Sequence, residues 1–166
     1  MTEEEFCRVR MNSCSGFYPR PGTYALLISS ATDQLIRIGR LGTLRLKPGY
    51  YMYVGSALGS GGVRGRLAHH MRPAERPHWH IDYLRSHTTL EEVRFCYNRK
   101  SLEHEWAHCF AMMRGASVPM AGFGSSDCDC ESHLFFFAKC PARGLAAKLG
   151  STVAGAAHFD VRFGFS

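Results

Sequence analysis

The chain has 166 residues, of which 45% are apolar, a size that suits one compact domain burying on the order of two-thirds of its unfolded surface. That composition excludes a disordered or fibrous class, and the longest apolar runs, residues 24–30 and 134–138, are too short to span a bilayer. A net charge of +6, from 20 basic against 14 acidic residues, favours an anionic partner.

Residues 1–21 read as an extension with an acidic start and no apolar stretch of the kind that marks a secretory signal, so a cytoplasmic protein is expected. The chain has seven cysteines, and in that compartment they are expected to be reduced. Pro19 and Pro21 punctuate the entry to the core. Residues 24–30 predict a strand, and residues 35–38 its hairpin partner across a turn at Thr32-Asp33. Residues 50–56 predict a third strand after Pro48-Gly49, with Tyr51 and Tyr53 on one face and Tyr50, Met52 and Val54 on the other. Tyr50 is expected in the core, and Tyr51 is a candidate pocket wall.

A glycine-rich break at 59–62 leads into a short basic helix over 63–71, ended by Pro73 and Pro77. This helix carries Arg64, Arg66 and His70, with Arg72 just beyond. Between Arg37 and Arg76 the only acidic residue is Glu75, and a local basic stretch of that kind suits a phosphate backbone. Residues 78–84 predict a second short helix holding His78, Trp79, His80 and Asp82, in which Trp79 is expected in the core rather than stacked on a base. Residues 93–97 predict another strand.

The clearest helix runs from Ser101, a suitable N-cap, through Arg114, with Leu102, Trp106, Phe110 and Met113 on one face. Glu103 and Glu105 lie near its start, where either could simply complement the helix dipole. Residues 122–130 predict a loop, and 134–138 a strand too uniformly apolar for a sheet edge. Residues 141–150 predict a short C-terminal helix, and 151–166 carry weak signals only.

Phosphodiester hydrolysis needs an activated water, a counter-charge for the phosphorane-like state and help for the leaving oxygen. A cation can lower a tyrosine's pKa from about 10, and arginine offers a planar fork for non-bridging oxygens. Magnesium binds proteins through one or two carboxylates, so a single helical glutamate suffices. Separately, Cys128, Cys130 and His133 form Cys-x-Cys-x-x-His, which could bind zinc with His78 or His80 as fourth ligand. The favoured alternative is a polar core in which Asp82 and Asp127 orient histidines and loop amides. Asp127 or His80 at the edge of an active site is a third option.

Gly22-Thr23-Tyr24, Tyr53-Val54-Gly55, Arg66 with His70, and a helical glutamate occur in order, and at these residues the chain resembles the GIY-YIG nuclease superfamily. The segments Gly49–Gly59, His78–Leu84 and Gly122–Cys128 are similar to its Uri-type branch, the domain sometimes fused to endonuclease III, and the resemblance covers roughly residues 22–138. It implies an α/β (α+β) domain over 22–140, with a small three-stranded antiparallel sheet flanked by helices and extra strands or loops. Residues 1–21 and 141–166 would be extensions. It also implies roles: Tyr24 as general base or its relay, Tyr53 positioning water or phosphate, and Arg66 bracing the transition-state charge. His70 would tune Tyr24 or touch the scissile phosphate. Glu103, or Glu105 as second choice, would hold one Mg²⁺ or Mn²⁺. Arg64 and Arg72 would contact nucleic acid. The implied function is a metal-dependent endonuclease acting on DNA, with a non-catalytic nucleic-acid-binding module assisting DNA repair as the alternative. The departures are Thr23 at the centre of the first motif, in place of an aliphatic residue, and the long stretch between the two tyrosine motifs.

Overall fold

The computed structural model describes residues 17–141 and the strand His158–Arg162. Five antiparallel strands make the main sheet, in the order β6-β4-β1-β5-β7. They are β1 (Gly22–Ser30), β4 (Gly49–Ala57), β5 (Thr89–Tyr97), β6 (Leu134–Phe137) and β7 (His158–Arg162). A separate two-stranded sheet holds β2 (Gln34–Ile38) and β3 (Gly42–Leu46), and the helices are α1 (Gly62–His70), α2 (His80–Arg85) and α3 (Glu103–Ala111). The sheet is thus larger than the expected three strands. β7 falls in the region of weakest sequence signal and pairs with β5 from Glu92↔Arg162 to Cys96↔His158. The C-terminal helix expected at 141–150 and most of the N-terminal extension lie outside the described residues. Among the described residues, no helix is long and apolar enough to cross a membrane.

β1 sits at the centre because nearly all of it is apolar: Ala25 to Ile28 are fully or almost fully buried between β4 and β5. Strand alternation then sorts the side chains. Tyr24, Leu26, Ile28, Tyr51 and Tyr53 face a core completed by Val63 and Leu67 of α1, by α2 and by the β2–β3 hairpin. Ala25, Leu27, Met52 and Val54 face Trp106 and Phe110 of α3, with Tyr50 packed alongside. The two-face reading of residues 50–54 is therefore observed.

Three expectations are corrected. β2 pairs with β3 and not with β1. The turn that matters is Gly39-Arg40-Leu41-Gly42, where both glycines have positive φ. It folds the alternating Ile36, Ile38, Leu44 and Leu46 inward and leaves Arg37 and Arg40 exposed. Tyr51 is no pocket wall: its hydroxyl accepts from Lys47 N at 2.8 Å and donates to Lys47 O at 3.1 Å, closing the turn before β4. β6 ends the sheet on its side, but Ser117 covers its outer edge through two backbone hydrogen bonds with Phe136, which reconciles its apolar composition with that position.

Thr23 has a specific task. Its fully buried hydroxyl accepts a 2.9 Å hydrogen bond from Leu102 N, one of the amides that a helix start leaves without an intrahelical partner. Ser101 serves the next amide, accepting from Glu103 N at 3.2 Å. An aliphatic residue at position 23 would strand the Leu102 amide. Thr23→Val is expected to cost roughly 1 to 2 kcal/mol, read as a lower denaturant midpoint at unchanged slope.

Candidate active site

Tyr24, Tyr53 and Arg66 converge with Glu103 on one cavity of about 240 Å³. Tyr24 and Tyr53 come from adjacent strands with ring centroids 6.3 Å apart. Gly55, beside Tyr24 in the β1–β4 register, is what lets the first phenol lie flat across the sheet. A Cβ there would sit 2.6 Å from Tyr24 Oη. Arg66 enters from α1, with its guanidinium carbon 3.9 Å from the centre of the Trp79 ring. Trp79 packs against the core on one side and lines the cavity on the other, so it is only partly the core residue expected. Glu103 enters from the first turn of α3, placed there by the Thr23 and Ser101 bonds.

The electrostatics follow from burial. Tyr24 is held well above the ordinary phenol pKa, first by burial and then by Tyr53, while Arg66 pulls it down and the Glu103 charge pushes it up. Tyr53 is raised for the same main reason, with Glu103 next. A cation bound to Glu103 would therefore offset a negative charge that helps keep both phenols protonated.

His70 lies behind Tyr24, only 1% exposed and outside the cavity lining, with Nε2 2.8 Å from Tyr24 Oη. Of its two implied roles, this geometry supports tuning Tyr24 and not contact with a phosphate. Burial, reinforced by His69, lowers its pKa to about 3, so it is neutral near pH 7. An unfolded histidine titrates near 6.5, so the unfolded chain gains a proton first as pH falls. Stability from this group is complete above about pH 6.5 and declines by about 1.4 kcal/mol per pH unit toward 3. His70→Gln is expected to flatten the fall in Tm between pH 6.5 and 5, measured by thermal unfolding across that range.

Of the two glutamates, Glu103 lines the cavity, whereas Glu105 is exposed and does not. Arg64 and Arg72 are exposed outside the cavity. The second cluster divides. Asp82 accepts from the backbone amides of His78 and Trp79 at 2.9 and 3.0 Å and contacts His69 Nε2 at 2.8 Å. It organises the start of α2, as the polar-core reading expects, although the histidine concerned is His69. His80 Nδ1 accepts from Gly124 N at 3.0 Å, which ties the 122–133 loop to α2. Gly124 has φ 72°, and a Cβ there would lie 3.0 Å from the Tyr53 ring and 3.2 Å from His133 Cβ. Asp127, exposed on this loop, joins the cavity wall.

Cys128, Cys130 and His133 do come together, but neither His78 nor His80 joins them. The partner is His104, one residue past Glu103, with Nδ1 3.2 Å from Cys130 Sγ. Cys128 Sγ lies 3.4 Å from His133 Nε2. His104 carries no sequence signal beyond its type, because its neighbours lie more than twenty residues away. His133 Nδ1 is 3.0 Å from Glu103 Oε1, a close polar contact without good hydrogen-bond alignment.

A family model described as "Domain of unknown function DUF123" matches residues 23–153, most of the chain and every cavity residue named above. No curated protein and no solved structure matches.

Proposed function

The chain belongs to the DUF123 domain family, and we propose that it is a metal-dependent endonuclease of the GIY-YIG type that hydrolyses phosphodiester bonds in DNA. The observation that carries this reading is the convergence of Tyr24, Tyr53, Arg66 and Glu103, from two strands and two helices, on one polar cavity.

Each residue has a task that its surroundings support. Tyr24 Oη stands between the cavity and His70 Nε2. It takes a proton from the attacking water while its own proton passes to that nitrogen. Neither a free phenolate nor an imidazolium then has to accumulate beforehand, which suits a phenol of raised and an imidazole of lowered pKa. Negative charge developing on the phosphorane favours the imidazolium as it forms. Tyr53 orients the water or a phosphate oxygen. Arg66, whose guanidinium carbon lies over the Trp79 ring, meets the non-bridging oxygens, a contribution of roughly 3 kcal/mol.

Glu103 fits a single hard cation. It is a half-buried carboxylate on the cavity wall whose charge already reaches both phenols. With substrate phosphate and water, one such carboxylate is enough for Mg²⁺ or Mn²⁺. When bound, that ion supplies Lewis-acid stabilisation of the phosphoryl oxygens.

The test is cleavage of supercoiled plasmid, a single-stranded oligonucleotide and a branched duplex at low salt, with Mg²⁺, Mn²⁺ or EDTA. Nicking that needs the metal and stops in EDTA is the expected result. Salt-sensitive binding to all three DNAs without any cleavage would replace the enzyme with a nucleic-acid-binding module assisting repair.

A further inference from the structure

Behind Glu103 is a second constellation that the hydrolysis does not use. One ligand atom from each of His104, Cys128 and Cys130 lies within 4.8 Å of the other two. His133 stands beside this group and not within it, with Nε2 3.4 Å from Cys128 Sγ, and becomes a fourth ligand if its ring turns toward the other three. We infer that His104, Cys128, Cys130 and His133 form a structural zinc site of two thiolates and two imidazoles.

The distances can be checked against the metal's geometry. Zinc bonds of about 2.3 Å to sulfur and 2.0–2.1 Å to nitrogen, at tetrahedral angles, place neighbouring S and N ligands roughly 3.5 Å apart. The two sulfur–nitrogen separations here, 3.4 and 3.2 Å, are within a few tenths of an ångström of that value. The His104 and His133 rings are nearly perpendicular, at 82°, as two ligands approaching one centre from different sides can be.

The backbone supports the same conclusion. The loop carrying both cysteines is pinned at its ends by Gly122 N to Glu131 O at 2.7 Å and His133 N to Phe123 O at 2.8 Å. Val54 N donates to His133 O at 3.0 Å, fixing His133 to β4, and Phe123 is fully buried. The cysteines therefore sit in a short closed loop facing α3.

Glu103 completes the arrangement from outside. Its carboxylate beside His133 Nδ1 is the kind of neighbour that orients a zinc-bound imidazole. Ligand softness separates the two metals: thiolates and imidazoles select zinc, whereas the cavity carboxylate suits a hard cation. Two thiolates also cancel the charge of Zn²⁺, so the site adds no net positive charge beside the cavity. Its task is to hold the 122–133 loop, which bears Gly124 and Asp127, against the start of α3. This inference does not depend on the nuclease reading.

The full-length protein, purified under reducing conditions without chelator and dialysed, is expected to carry one zinc per chain by elemental analysis. Metal-stripped protein titrated with Co²⁺ is expected to show tetrahedral d–d bands and thiolate-to-cobalt charge transfer. Cys128→Ser and Cys130→Ser should each weaken zinc binding by more than about 100-fold. Cys140→Ser, an exposed cysteine outside the cluster, should leave it unchanged. If the serine variants do not fold, the cobalt spectrum and zinc titration of the wild-type chain decide alone. Zinc well below one equivalent after reconstitution, a cobalt spectrum without thiolate charge transfer, or full zinc retention in both serine variants would each overturn the site.

Discussion

Glu103→Gln is expected to lower metal-dependent cleavage by roughly 10³-fold, about 4 kcal/mol of barrier, while Glu105→Gln leaves it unchanged. The two residues are adjacent in type and both lie in the first turn of α3, so the dipole of the helix treats them alike. What separates them is rotation about the helix. Glu103 points into the cavity and acts on both phenols, while Glu105 points to solvent. Glutamine keeps the shape of the Glu103 side chain and removes only the charge that a hard cation requires. Rates measured over a Mg²⁺ or Mn²⁺ titration check this, since raising the metal concentration should not restore Glu103→Gln. Zinc content should be measured alongside, because Glu103 also touches His133. Activity lost with zinc retained assigns Glu103 to the reacting metal. Equal losses in both glutamine variants would remove Glu103 from that role.

Much of this cavity was legible from local rules, and the remainder was not, for identifiable reasons. The period of two put Tyr51 and Tyr53 on one face, whereas the pairing of Tyr24 with Tyr53 came from the family resemblance, and all three side chains do face the same core. The amphipathic stripe of α3 was equally clear, since Trp106 and Phe110 are both buried as the spacing requires. Tyr51 shows where periodicity stops being informative. It shares a face with Tyr53, but the turn at Lys47 closes over it, and only the folded loop reveals that. β3 was readable in principle, because Leu44 and Leu46 alternate with polar residues after a glycine turn, but the Thr32-Asp33 turn competed with it. His104 could not be found this way. Its significance comes from a loop more than twenty residues further on, brought to it by the packing of β4, β6 and α3. Thr23 stood out in the sequence only as a departure from an aliphatic residue, because its bond to Leu102 is a contact across 79 residues.

Arg66→Lys is expected to cost about 10²-fold in cleavage although the positive charge is kept. The reason lies in what holds the guanidinium. Arg66 rests on the Trp79 ring at 3.9 Å, which fixes the plane of the fork before any phosphate arrives. A lysine ammonium has no plane to align, grips two oxygens less well and carries a heavier hydration shell. Binding of the DNA should change little, because one cation replaces another and the number of neutralised phosphates is the same. The loss should therefore appear in kcat and not in the salt-dependent affinity, a division that single-turnover rates at saturating DNA would expose. Trp79→Ala gives the complementary case, since it leaves the guanidinium in place but removes the surface that orients it. It should fall between wild type and Arg66→Lys, and its effect should shrink in the Arg66→Lys background, where the plane to be held is already gone. Additive losses in the double variant would mean that Trp79 acts independently of Arg66, by packing or by contact with a base, and the preorganised fork would have to be given up.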